Sequence, residues 1–134
     1  MARFKIPYEP RLVSSAALMP SYLTYYATRA NEDTPPMAYD EFERGVFDCE
    51  FDDRGGGTPE TAIVIYGAAS HFVGVAAEYI FLCYRFGEPR KDWTRGIQSV
   101  GNWDGRKMDV ILVTFPDRPP IRRYFDITEF YHKP

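Results

Sequence analysis

Glu78 is the only carboxylate in the apolar stretch AAEYIFL. Desolvation raises the pKa of such a group toward neutrality, which suits a general acid or base. A structural glutamate there instead needs an arginine or a backbone donor, because long charged side chains are rarely buried without a partner. The structural arrangement is the one expected. Asp109 and Asp126 are the second candidate, with Tyr124 close by in sequence. Around Glu78 these three side chains would make an acid/base pair or half a metal site. The plainer expectation is that Arg122, Arg95 or Lys107 neutralises the two aspartates at a sheet end.

The remaining chemical signals are weaker. His71 could act as a base, but no serine or cysteine stands near it in a nucleophile motif. Cys49, Cys83, His71 and His132 lack zinc-ligand spacing, so no metal and no cofactor is expected. Asp48, Glu50, Asp52 and Asp53 begin like a calcium loop. The sixth position is Asp53 where glycine is needed, and the twelfth is Pro59 rather than glutamate. Gly55, Gly56 and Gly57 precede a strand instead of following one, with no Gly-Lys-Ser/Thr, so they cradle no phosphate. The PxxP of Pro116 and Pro119 is explained by a turn. The acidic row Asp48, Glu50 and Asp52 can meet a basic partner. Tyr22, Tyr25 and Tyr26 serve either the core or an aromatic contact surface.

Composition sets the class. The chain has 134 residues, 45% hydrophobic and 16% aromatic, with a net charge of −3. That favours one folded domain. A nucleic-acid surface wants a basic face, which the charge disfavours. No run is long enough for a membrane span. The N-terminus has no apolar core of a signal peptide, so both cysteines are expected as reduced, buried thiols in a cytoplasmic protein.

The elements that must position these side chains centre on residues 61–87. Ala62 to Tyr66 is an apolar, β-branched run that suits a strand buried on both faces. Ser70 then caps a helix that ends near Phe86, before Gly87 and Pro89. Val75, Tyr79, Leu82 and Phe86 make the stripe expected to meet the sheet. Gly74, Glu78, Phe81 and Arg85 lie opposite, and their half-apolar character implies cover on more than one side. Residues 3 to 8 alternate as a short strand. A helix starts near Ser21, and NEDTPP is a loop. Phe47, Cys49 and Phe51 alternate with the acidic row across a strand at 46–53.

Asp104-Gly105 signals a two-residue hairpin turn, and Asp117-Arg118 is taken as the next. Under those turns Leu112 lies opposite Ile97 and Arg123, and Asp109 faces Asp126. Ile97, Met108, Val110, Leu112, Phe125 and Ile127 then share the helix-covered face. A one-residue slip would exchange the two faces.

The segments GTPETAIVIYGA, GVAAEYIFL, KMDVILVTFPD and RRYFDITEFY, within residues 57–131, resemble a group of small uncharacterised bacterial α+β proteins. The resemblance implies no activity. The expected fold is a single α+β domain: an antiparallel sheet of four or more strands on one central helix. Residues 46–134 would form a β-β-α-β-β-β core, and residues 1–45 a covering segment. The expected function is non-enzymatic. Asp48, Glu50, Asp52 and the three tyrosines would bind a protein partner, a basic one, as an inhibitor or toxin-neutralising protein of the immunity type does. The alternative is a small enzyme or ligand-binding domain around Glu78, Asp109, Asp126 and Tyr124.

Overall fold

Ile63, Val64 and Ile65 are buried on both faces of a strand, β2 (Ile63–Tyr66), as their continuous apolar run requires. Ser70 caps the helix that follows. Its hydroxyl accepts from the Val73 N–H at 3.3 Å, which satisfies one orphan donor of the first turn, and its carbonyl accepts the first intrahelical bond from Gly74 at 3.1 Å. Gly87, at φ 104°, ends that helix. The computed structural model describes residues 3–9, 18–29 and 35–133. Its other elements are α1 (Met19–Arg29), α2 (Tyr39–Phe47), β1 (Glu50–Asp52), α3 (His71–Phe86), β3 (Thr94–Trp103), β4 (Arg106–Thr114) and β5 (Ile121–Asp126). Much of the expected NEDTPP loop lies outside the described residues.

The protein is α+β. Its five strands form one sheet in the order β1-β2-β5-β4-β3. The sheet is mixed, because β2 runs parallel to β5 while every other pair is antiparallel. The expected all-antiparallel sheet is therefore corrected to a mixed one, and among the described residues the central helix α3 is joined by α1, where a helix was expected near Ser21, and by α2. The signal for the parallel pair was present: a strand apolar on both faces is what parallel pairing uses. The helix α3 covers one face of the sheet, and α1 and α2 pack against α3. At the outer side of β1, Phe4 and Phe51 exchange both backbone hydrogen bonds, at 3.0 and 2.8 Å. The alternating segment at residues 3–8 thus adds a single bridge to the sheet edge rather than a full strand.

Two expected elements change shape. The strand expected over 46–53 is only Glu50–Asp52, because Val46 and Phe47 complete α2. Phe42 and Val46, four apart, form that helix's buried face. Phe51 points inward as expected, but Asp52 is buried too. The second correction concerns register. The turn at Asp104-Gly105 is as expected, with both residues at positive φ (49° and 78°), the two-residue turn that matches strand twist. The next turn is not at Asp117-Arg118. Val113 stands opposite Ile121 and Asp109 opposite Phe125, one residue away from the expected register. Proline explains it: a two-residue turn there would set Pro116 against Pro119, neither of which has an N–H to donate.

That slip exchanges the faces. Asp109, Ile111 and Val113 of β4 turn toward α3 and are buried with Phe125. Ile97, expected in the core, is 79% exposed beside a β-bulge between Arg95 and Gln98. The helix face is corrected as well. Phe81 sets its ring against Phe125 and Phe51, with centroids 5.8 and 5.2 Å away. The stripe of Gly74, Glu78 and Phe81 therefore meets the sheet. The other stripe is used elsewhere: Tyr79 packs on Trp93 and Phe86 on Phe115.

Glycines permit two close approaches. Gly56, at φ 74°, lies beside the end of β5. Its carbonyl accepts from the Tyr124 N–H and its own N–H donates to Thr61, each at 2.8 Å. It extends the pairing between β2 and β5 where a side chain would strike Ile63. Gly74 lets the Phe130 ring lie directly on α3.

Candidate functional site

The register brings two of the four candidate carboxyl-site residues together and separates the rest. Glu78, in the middle of α3, and Asp109, on β4, meet between helix and sheet, each 2% exposed. Their carboxyl groups share a hydrogen bond. Gln98 Nε2 donates to Asp109 Oδ2 at 2.6 Å. Glu78 Oε1 and Asp109 Oδ1 have no partner among the described residues. Burial, then the hydrogen bond and charge of Asp109, push Glu78 well above the usual carboxyl range, against the pull of Arg95. A neutral Glu78 has a proton to donate toward Asp109, which removes the repulsion two buried carboxylates would suffer.

Expectation and structure differ here in an instructive way. Glu78 is structural in position, but its partner is another carboxyl rather than an arginine or a backbone donor. A raised carboxyl beside a second one is also the electrostatic arrangement of an acid/base dyad. A general acid must reach its substrate within hydrogen-bond distance, and at 2% exposure Glu78 meets almost no solvent. The pair is suited to locking α3 onto β4.

Asp126 and Tyr124 do not join this pair. Asp126 stands opposite Met108 and beside Val64, on the sheet face turned away from α3. It is held by an ion pair with Arg106 and accepts from Thr128 through the backbone N–H (3.0 Å) and the hydroxyl (2.6 Å). The facing of Asp109 and Asp126 is thus corrected: they lie on opposite faces, and Arg106 is the neutralising residue. Asp52 stands on the same rung, across Val64, and binds Arg54 Nη2 at 3.1 Å.

The expected contact residues divide as well. Asp48 is exposed and lies 3.8 Å from Lys5 Nζ. Glu50 is half-buried and Asp52 buried, so the three carboxylates do not form one outward row. Tyr25 is buried. Its hydroxyl accepts from the Met37 N–H at 2.8 Å, while the Tyr22 hydroxyl donates to the Met37 carbonyl at 3.0 Å. Tyr22 also sets its ring edge-on to Tyr39 and Phe42. These two tyrosines clamp the chain before α2 to α1. Tyr26 is half exposed. Both cysteines are buried and neither is in a disulfide, and burial, then nearby Asp48, pushes the Cys49 thiol up to about 12. His71 packs its ring on Phe72, Phe130 and Tyr131.

Sequence reasoning missed two surfaces. The first is β3, the sheet's end strand, where Ile97, Val100 and Trp103 are 79%, 48% and 48% exposed. The exposure follows from the register, so no local signal announces it. The second is a groove of about 390 Å³ between α1 and α3, closed at one side by Arg90 and Arg95. It is assembled from segments far apart in the chain. Among the described residues no group of three or more His, Cys, Asp or Glu could hold a metal ion, and no helix is long and apolar enough to cross a membrane. No protein-family model, curated protein or solved structure matches the chain.

Proposed function

We propose that this chain is a non-enzymatic interaction protein of the bacterial cytoplasm that receives an extended segment of a partner protein along β3. The observation that carries it is β3 itself: ten residues at the end of the sheet, with apolar side chains in solvent and no charge from Gly96 to Trp103. Natural edges are normally blunted by lysine, proline, cover or a bulge; the bulge of β3 lies between Arg95 and Gln98, and from Gln98 to Trp103 the strand pairs regularly with β4, leaving a template for an added strand. Backbone hydrogen bonds would supply the affinity. Ile97, Val100 and Trp103 would supply selectivity.

The net charge of −3 favours a basic partner through long-range attraction, which acts on the association rate. Asp48 and Glu50 lie near β1, at the far end of the sheet from β3, so they steer rather than dock. Inhibition or neutralisation of a toxin, in the manner of immunity-type proteins, is the biological role that this small acidic module suits by analogy. The alternative, an enzyme around Glu78, Asp109 and Asp126, is less favoured because the three groups lie on two faces of the sheet and Glu78 is sealed.

The test compares wild type with an Ile97→Lys, Val100→Lys, Trp103→Lys variant in affinity capture from bacterial lysate. Circular dichroism confirms equal folding first. A partner retained by wild type and lost by the variant supports the proposal. An Asp48→Asn, Glu50→Gln variant should slow association at low salt and leave dissociation unchanged. A partner held equally by the β3 lysine variant would end it.

A further inference from the structure

We propose that the groove between α1 and α3 binds a small organic anion, its acidic head between Arg90 and Arg95 and its apolar body along Phe72, Val75 and Tyr79. The groove's volume of about 390 Å³ lies within the range of small-molecule sites. His71 and Tyr79 both line it and stand eight residues apart on α3, which is about 12 Å along a helix. The occupant is therefore elongated.

The charge at one side is uncompensated. Among the described residues, neither Arg90 nor Arg95 has an acidic partner within salt-bridge distance. Their neighbours Glu88 and Asp92 are otherwise engaged: Asp92 Oδ2 accepts from the Glu88 N–H at 2.8 Å, and Lys91 Nζ lies 3.8 Å from Glu88. Glu78 attracts Arg95 only in its ionised form, and burial works against that form.

The Arg90 backbone and the Arg95 side chain are each held in place. Arg90 is held in the left-handed region, at φ 72°, by its own N–H donating to the Trp93 carbonyl at 2.7 Å. Such conformations gather at ligand clamps. Trp93 is in turn buried, with Nε1 donating to the Gly87 carbonyl at 2.9 Å. Arg95 lies over the Tyr79 ring, 5.3 Å from its centroid, and that ring packs on Trp93. The β-bulge after Arg95 is a device that re-aims side chains. Planar guanidinium forks over an aromatic wall suit a carboxylate or a phosphate on an apolar body.

Arg95 belongs to β3, but the rest of the groove lies outside that strand, and the test does not use a protein partner. Phenyl phosphate and benzoate are titrated into the full chain, with benzyl alcohol and benzylamine as neutral and cationic controls, followed by NMR of the Val75 methyls and Arg95 Nε. The anions should give saturable shifts that the controls do not. Arg90→Gln with Arg95→Gln should weaken binding at least about tenfold, the scale of one lost charge-assisted hydrogen bond. Thr24→Trp, an exposed change on α1 that fills the groove mouth, should block binding with both arginines kept. Benzyl alcohol binding as well as benzoate, either variant binding the anions undiminished, or no saturable shift with either anion would overturn the assignment.

Discussion

Glu78 and Asp109 make a titration argument that an arginine partner would reverse. Burial first, then Asp109, keeps the Glu78 proton on well above the ordinary range, whereas an unfolded glutamate loses it near pH ~4.3. Between those values the folded chain binds more protons than the unfolded one, so this group's contribution to stability falls as pH rises. Glutamine mimics the neutral form and can still donate to Asp109. Urea unfolding across that window should therefore show Glu78→Gln gaining on wild type as pH increases, then levelling off above the folded pKa. A variant that loses ground with rising pH would mean Glu78 is ionised and charge-paired. Gly74 gives a steric counterpart. Alanine is the better helix former by roughly 1 kcal/mol, yet its Cβ would strike the Phe130 ring. Gly74→Ala should thus destabilise by about 1–3 kcal/mol, as overpacking does, measured by thermal or urea unfolding.

At the scale of elements, the register decides which side chains matter. Leu82→Ala should cost about 2–5 kcal/mol, since Leu82 is fully buried. Ile97→Ala should cost under about 0.5 kcal/mol, as surface changes do, whereas the sequence-derived register made Ile97 a core residue. Denaturation of the two variants side by side discriminates the registers. Much of this level was legible. Ser70, Gly87 and Pro89 bound α3 through local chemistry that needs no tertiary context, and Asp104-Gly105 sets its own turn. What was not legible depends on counting through prolines. Pro116, Pro119 and Pro120 forbid several turns without selecting one, and a one-residue change reverses both faces of β4. The meeting of Glu78 with Asp109 follows from that register, so the pair was hidden although both residues had been singled out. The acidic row failed because Val46 and Phe47 suit a buried helical face as well as a strand.

For the whole molecule, the order β1-β2-β5-β4-β3 sets a gradient of protection. β5 has a strand on each side and Phe125 fully buried, while β3 has one neighbouring strand and solvent. Amide exchange should be slowest in β2 and β5 and fastest along the outer side of β3. Uniform protection across all five strands would show that the β3 edge is already covered in solution.

The place of β5 has a further consequence for how the chain is made. It is the last of the five strands to be synthesised, yet it is the one that joins β2 to the β3–β4 hairpin. Until it emerges from the ribosome, the two parts of the sheet have no strand in common, and Ile63 and Ile65 wait beside an open edge. Folding cannot proceed strand by strand in the order of translation. The pairing of β2 with the rest of the sheet therefore waits for the end of the described chain, with the edge that β5 will cover left open until then.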